Sequence, residues 1–522
     1  MKKHILLIVF AIFVVMGALA QQKVEKTVYQ DEQVVPLRGC RMGKHNPQSM
    51  RYRSRVTQTT VNPYIGNRRQ LVVMASYKDR DFAEDHSTVY QKWDKIFNEE
   101  NYSEGDFYGS VHDYFMTQSY GKFNLKFDLI FVELPDSCKK YRSTRTHDEY
   151  SQYMVDDIVD ALQTEDIDWS LYDWDGDSFV DQLLIIFAGK GMDAGGGTNS
   201  IWPHQWWLSE HMNFATEDPI DKRGYRAVTY NNKEYYVDCY CCAQELLDDG
   251  GRKTSFANIC HEFTHCFGFP DFYYGRNDVL GSWDLMATGN FNGQGFYPCN
   301  YSAHERMLMG WLTPVELSSS VDIVDMPSLD DEPVAYLIRN DGAENEYYIV
   351  ENRRQQGWDK YLPGSGIVIF HIDYDKNLWE GVTDYVNKPE KKRYCIIPAN
   401  NDTLMNVASK WPYPYVVKDI QGNDSIANNC LTNTSEPQAK LNNPNVDGSK
   451  LMSKPITNMA IDTNGYASFS FMYEEATSII NTPIQQMSLH PDASIYDLQG
   501  RKIPAPIKGP YIQGRKVRVK KN

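Results

Sequence analysis

Read for periodicity, the chain switches several times between apolar runs of strand length and apolar positions at helical spacing. The run Gln70-Leu71-Val72-Val73-Met74-Ala75-Ser76-Tyr77 predicts a buried first strand. Ser110-Val111-His112-Asp113-Tyr114-Phe115 opens a helix that leads into Ser119-Tyr120-Gly121-Lys122-Phe123, and a strand follows from Asn124 to Leu134. Tyr150 to Leu162 carries apolar residues at helical spacing, Leu183 to Phe187 reads as another buried strand, and the glycine-rich stretch Gly189 to Gly197 reads as a rim loop. Helices are predicted from Thr254 to Phe267, with Thr254 or Ser255 as N-cap, and from Ser302 to Met309. After Pro314 the texture becomes β-like, with Ala335 to Arg339, Glu346 to Val350, Gly366 to His371 and Tyr394 to Pro398 separated by Gly, Pro, Asn and Asp clusters. The pattern predicts an α+β region over 66–314, with a mixed twisted sheet and helices, then an antiparallel β-sandwich over 315–475 and a C-terminal β-module over 476–522.

The chemistry concentrates in the first of those two late helices. His261-Glu262-Phe263-Thr264-His265 places two imidazoles at i and i+4, one above the other on a helical face. That spacing suits two nitrogen ligands of one Zn²⁺, with Glu262 near the metal as general base toward an activated water. Gly268 follows at the position where a left-handed residue ends the helix, Pro270 blocks its continuation, and Asp271 is then placed to return as a third ligand. This is an HExxHxxGxxD arrangement of the metzincin kind. Trp283-Asp284-Leu285-Met286 is a candidate Met-turn beneath the metal, and Glu305 on the later helix stands as a second candidate for the third ligand.

Other features set the surroundings of that chemistry. Lys2-Lys3 before the apolar run Ile5 to Ala20 reads as a signal peptide over 1–20, which predicts export to the medium or cell surface. No stretch is long enough for a membrane span. Residues 21–65 read as a pro-segment or N-terminal arm that contains Cys40, either a latency thiolate for the open metal position or an ordinary structural or free cysteine. A net charge of −16 disfavours nucleic acid as a partner. Ten cysteines fit an oxidising compartment without a diagnostic spacing, and Cys239, Cys241 and Cys242 read as a buried strand rather than a metal cluster. Asp173, Asp175, Asp177 and Asp181 surround Gly176, so this segment is either a Ca²⁺ loop or an acidic turn; the EF-hand spacing is incomplete. His204 faces either substrate or core.

With these motifs in view, residues 66–475 resemble the immune inhibitor A-type family of secreted zinc metallopeptidases. The resemblance rests on the segments around Ser110 and Ser119, Asp173 to Asp181, Ile201-Trp202-Pro203-His204, His261 to Asp271 and Trp283 to Met286. Beyond the catalytic region, Glu351-Asn352-Arg353, Leu362-Pro363-Gly364-Ser365-Gly366 and His371-Ile372-Asp373 also look familial. It implies a metzincin-like catalytic domain, broad endopeptidase activity on protein or peptide substrates and synthesis as a zymogen, with His261 and His265 as zinc ligands and Glu262 as base. The tail from Ile495, which carries eight Lys or Arg and no acid from Arg501 onward, is similar to C-terminal sorting domains of type IX secretion cargo. That similarity implies contact with secretion machinery. Two rivals to the peptidase are a non-catalytic adhesin or glycan-binding protein on a protease scaffold and a zinc amidase acting on cell-wall peptides. Cysteine catalysis through Cys260 or Cys266 is disfavoured, since each is adjacent to a histidine that points away from it on the helix.

Overall fold

In the computed structural model the described residues are 62–143, 150–210, 225–248, 251, 256–274, 278–379, 386–401, 409–413 and 428–473, with short strand pairs in the remaining segments and near the C-terminus. The signal peptide, residues 21–61 of the N-terminal arm and Cys40 lie outside them.

The first sheet has five strands: β1 (Gly66–Tyr77), β2 (Phe123–Leu134), β3 (Leu183–Lys190), β4 (His204–Trp207) and β5 (Cys239–Leu246). Their order is β2-β1-β3-β5-β4, all parallel except the antiparallel edge strand β4. Parallel sheets are covered on both faces, so their strands read as continuous apolar runs. Accordingly every residue of β3 from Leu183 to Ala188 is buried.

Helix α1 (His86–Asn98) buries Val89, Trp93, Ile96 and Phe97, one stripe at helical spacing. Helix α2 (Val111–Gln118) starts where Ser110 and Asp113 form a reciprocal capping box. Helix α3 (Ser151–Leu162) buries Met154, Val155, Ile158, Val159 and Leu162. Helices α1, α2 and α3 pack on β2, while α4 (Phe256–Cys266) packs on β5 and β4. The short α5 (Ala303–Leu308) begins with a second capping box, made by Ser302 and Glu305. Cys239, Cys241 and Cys242 lie buried on β5, and Cys239 Sγ stands 3.4 Å from Cys266 Sγ with both as free thiols.

Two further sheets follow residue 314. One runs 315–316, 336–340, 343–353, 366–373 and 394–396; the other orders 456–461, 467–471, 321–326, 516–520, 509–513, 495–496 and 502–503. Pairing is not purely antiparallel as expected: 315–316 runs parallel to 336–337, and 322–323 parallel to 516–517. The first of these parallel pairs has a topological cause. Between 316 and 336 the chain crosses into the other sheet through 321–326, so it returns to its first sheet pointing the same way.

The sheet around 343–353 is buried on both faces. Tyr336, Ile338, Tyr348, Val350, Ile367 and Ile369 join a core shared with Val321, Ile323, Phe469 and Phe471 of the other sheet. The alternate residues Leu337, Tyr347, Ile349, Val368, Phe370 and Ile372 join the larger core that contains β1, β3 and α4. Strand residues alternate between faces, and here both faces find apolar partners.

Candidate metal centre

Helix α4 turns Phe256, Ile259, Cys260 and Phe263 into the main core. The Phe263 ring lies within 6.4 Å of the rings of Phe115, Phe127, Trp174 and Phe267. This aromatic packing leaves His261, Glu262 and His265 on another face, all nearly buried. Thr264 donates its hydroxyl to Cys260 O at 2.6 Å and also bonds the Tyr301 hydroxyl, which ties the helix to the segment before α5.

The chain leaves the helix as expected from Gly268. Its φ is +94°, and its N–H donates to His265 O at 2.8 Å. The turn does two things. It presents Phe269 O to His265 Nδ1 at 2.7 Å, and it brings Asp271 back, buried, with Oδ1 3.1 Å from His261 Nε2 and 3.6 Å from His265 Nε2. Phe272 N–H donates to Met286 O at 2.9 Å, and His261 Nδ1 donates to Leu285 O at 2.8 Å. Each imidazole is therefore held at Nδ1 by a backbone carbonyl, which aims Nε2 at Asp271 and sets the tautomer.

His261, His265 and Asp271 each offer one ligand atom, all within 4.8 Å of one another. Glu262 Oε2 is 4.0 Å from His265 Nε2. Burial opposes charge at His261, but the Asp271 carboxylate outweighs it and pushes the imidazole up to about 9. Burial likewise opposes charge at Asp271, yet His265 and His261 hold it below the usual carboxylate range. Glu305 sits elsewhere. Its Oε2 accepts from Ser302 N at 2.7 Å and Ser302 Oγ at 2.9 Å to cap its own helix, and burial pushes its carboxyl well up.

Trp283 to Met286 packs against this cluster through backbone and core. Met286 is fully buried, and Asp284 accepts from Met286 N at 2.8 Å and from the Tyr394 hydroxyl at 3.0 Å. Burial pushes Asp284 up to about 7. The carbonyls of Leu285 and Phe269 were not foreseeable, because any residue type supplies a carbonyl. The Thr264–Tyr301 link joins residues 37 apart in sequence and carries no local signal.

Other predicted positions resolve as follows. Ligand atoms of Asp173, Asp175 and Asp177 lie within 4.8 Å of one another, without Asp181. These acids also accept backbone N–H groups: Gly176 N and Ser178 N reach Asp173 at 2.9 and 3.0 Å, and Phe179 N reaches Asp177 at 2.7 Å. Asp181 accepts from Trp174 N at 2.5 Å, and burial pushes it well up. His204 faces the core, with Nδ1 2.6 Å from Trp202 O and Nε2 3.2 Å from the Tyr240 hydroxyl. Among the described residues, no helix is long and apolar enough to cross a membrane.

A mixed α+β scaffold that points two backbone-anchored imidazoles and one carboxylate at a common position, beside an adjacent glutamate, has the donor set of metal-dependent hydrolases. Residues 67–310 match the family described as immune inhibitor A peptidase M6, catalytic domain. The resemblance to immune inhibitor A-type metallopeptidases holds over that segment. Immune inhibitor A of Bacillus thuringiensis subsp. alesti is 28% identical over 166 residues, 29% of this chain and 22% of the relative. The pre-pro-metalloprotease PrtV of Vibrio cholerae serotype O1 is 26% identical over 156 residues, 26% of this chain and 15% of the relative. The matched part thus spans less than a quarter of either curated relative.

Proposed function

We propose that this chain is an exported zinc-dependent endopeptidase with a metzincin-like site. In this reading His261, His265 and Asp271 hold Zn²⁺, and Glu262 is the general base. The observation that carries it is the convergence of both Nε2 atoms on Asp271 Oδ1 with both Nδ1 atoms already committed to carbonyls. Two neutral imidazoles and a carboxylate leave one tetrahedral position open, as catalytic zinc sites do. The description of the matching family and the name of the PrtV relative support a peptidase. Bound zinc would supply Lewis acidity that makes a water acidic near neutral pH and polarises a carbonyl.

The chain's own residues do the rest. Glu262 accepts the proton of the attacking water and hands it to the departing amine. Phe269 O and Leu285 O hold the imidazoles in register during that transfer. Met286 at the base of the cluster is read as the Met-turn methionine. A structural Ca²⁺ in the Asp173 loop, a zymogen form and secretion through the basic tail belong to the same reading.

The test combines metal analysis of the secreted protein, sequencing of its N-terminus and casein hydrolysis with and without a chelator. Glu262→Ala should retain zinc and lose about 10²–10⁴-fold in hydrolysis, the contribution of a positioned base. Chelator-insensitive hydrolysis, or full activity of Glu262→Ala, would overturn the reading.

A further inference from the structure

The end of α4 meets the start of β5 through sulfur. Cys266 is the last residue of α4 and directly follows His265. Cys239 is the first residue of β5. Their Sγ atoms stand 3.4 Å apart, and both side chains are buried. A disulfide needs a separation of about 2.05 Å, so the gap to close is about 1.4 Å. Shared between two sulfurs, that is about 0.7 Å each, within reach of small side-chain rotations.

Strand parity sorts the cysteines of β5. Alternate residues face the same side, so Cys239 and Cys241 share a face. Cys242 takes the other, where its Sγ lies 3.4 Å from His204 Nδ1. Cys241 is engaged by an amide: its Sγ donates to Gln182 Oε1 at 3.2 Å, and Cys266 Sγ donates to the same oxygen. Cys239 is the strand cysteine in direct sulfur contact with Cys266.

The hydrogen bonds around the pair tolerate closure. Gln205 Nε2 donates to Cys239 Sγ at 3.2 Å, and that sulfur stays a weak acceptor once it is bonded. Closure removes the S–H of Cys266, but Gln182 Oε1 keeps the S–H of Cys241. No buried polar group loses its last partner, so oxidation carries no desolvation penalty of the kind that an orphaned group would bring.

Position gives the bond a purpose. Thr264 already ties one side of α4 to Tyr301. Cys266 lies just before the turn at Gly268, which delivers Phe269 O to His265 and returns Asp271. A bond at Cys266 holds the start of that turn against the sheet.

We propose that Cys239 and Cys266 join as a disulfide when the chain folds in an oxidising medium, a covalent staple between the metal-bearing helix and the first sheet. The oxidising medium is taken from the export reading above. The oxidant is a low-molecular-weight disulfide, which reaches the sulfurs before folding buries them. One cysteine sulfur attacks it, an S–S bond forms to that cysteine, and one small thiol leaves. The second cysteine sulfur attacks the first, the Cys239–Cys266 bond forms, and the other small thiol leaves. The two cysteine protons end on the two small thiols, and the two electrons lost by the pair reduce the oxidant.

The experiment uses the full chain in two preparations: recovered from the culture medium, and refolded with zinc and a glutathione redox pair. Free thiols are blocked, and non-reduced peptides are mapped by mass. A peptide pair linking Cys239 to Cys266 is expected in both, and Cys241→Ser should keep it. The parent refolded in reductant should melt at least about 4 °C below the oxidised parent. Free thiols at both positions in the refolded chain, or Cys266 joined to Cys241, would overturn the proposal. Equal midpoints despite the link would overturn the staple. A link in the refolded chain, with no protein in the medium, would support the bond and count against export instead. The parent's peptide map decides even where Cys241→Ser fails to fold.

Discussion

Replacing Arg353 by Met should cost far more stability than any surface ion pair would suggest. Arg353 is fully buried and donates to Asp359 Oδ2 at 2.6 Å, Asp359 Oδ1 at 2.8 Å, Glu351 Oε1 at 3.0 Å and Asn300 O at 3.0 Å. The same two acids accept Ala303 N at 2.7 Å and Asn300 N at 2.8 Å, which anchors the segment carrying Tyr301 against α4. Removing one partner of a buried pair costs roughly 3–5 kcal/mol, because the remaining charge is left unpaired in a poorly solvated place. At roughly 2–4 °C per kcal/mol for a domain of this class, the melting midpoint should drop by about 6–20 °C.

The loss also carries a pH signature. Burial raises the Glu351 carboxyl even while Arg353 opposes the shift, so removing Arg353 raises it further. A folded pKa above the unfolded value gives stability that is full below the unfolded value of about 4.3 and is lost as pH rises through the folded one. The deficit of Arg353→Met should therefore shrink near pH 4 and deepen toward neutrality, by at most about 1.4 kcal/mol per pH unit from this group. Denaturant unfolding of parent and variant across that range measures it, and adding Glu351→Gln should recover part of the loss and flatten the pH dependence. A deficit below about 1 kcal/mol at pH 7, or one that does not change with pH, would refute the reasoning.

Three other outcomes are expected. Asp271→Asn should weaken zinc binding by more than the roughly 10–100-fold that loss of an outer-shell partner costs; equilibrium dialysis that leaves one zinc per chain would remove Asp271 from the ligand set. Gly268→Ala must hold an L-residue at φ +94°, at a cost of about 1–2 kcal/mol, and should lower both the melting midpoint and zinc retention; a variant equal to the parent would show that the turn is not a constraint. For Glu346→Gln the stability gap to the parent should be widest between pH 4.5 and 6.5, since burial is outweighed at both groups: Glu346 is lowered from 4.5 to about 2, and His371 is raised from 6.5 to about 9. The gap closes as pH falls through the Glu346 value or rises through the His371 value, and a pH-independent gap in urea midpoints would count against the ion pair.

Local pattern carried most of the elements around the metal centre. The run from Gln70 to Tyr77 announced β1, and the segments opening at Ser110 and Ser302 announced α2 and α5. Gly66 to Arg69 extend β1 beyond the apolar run, because they pair through backbone with Phe123 to Lys126 and that pairing is indifferent to their polar side chains. Helix α1 is legible in the helical spacing of Val89, Trp93, Ile96 and Phe97. Sheet order was not legible: β3 enters between β1 and β5, and nothing in its apolar run from Leu183 to Ala188 names its neighbours. At the site, the histidine spacing and the glycine turn were visible in five and eleven residues respectively. The carbonyls that orient the rings carry no residue-type signal, and the role of Glu351 and Arg353 as a buried clamp depends on contacts with Ala303 and Asn300, remote in sequence.

The sheet around 343–353 sends alternate side chains into two different cores. In evolutionary terms this couples the two halves of the chain. A recombination that replaced residues 315–475 with an unrelated module would remove one wall of the core that supports α4, whatever linker it preserved. Descendants of this chain are then expected to inherit the metal-bearing half and the following sheets together, and substitutions at Tyr347, Val368 or Phe370 should co-vary with positions that precede residue 314.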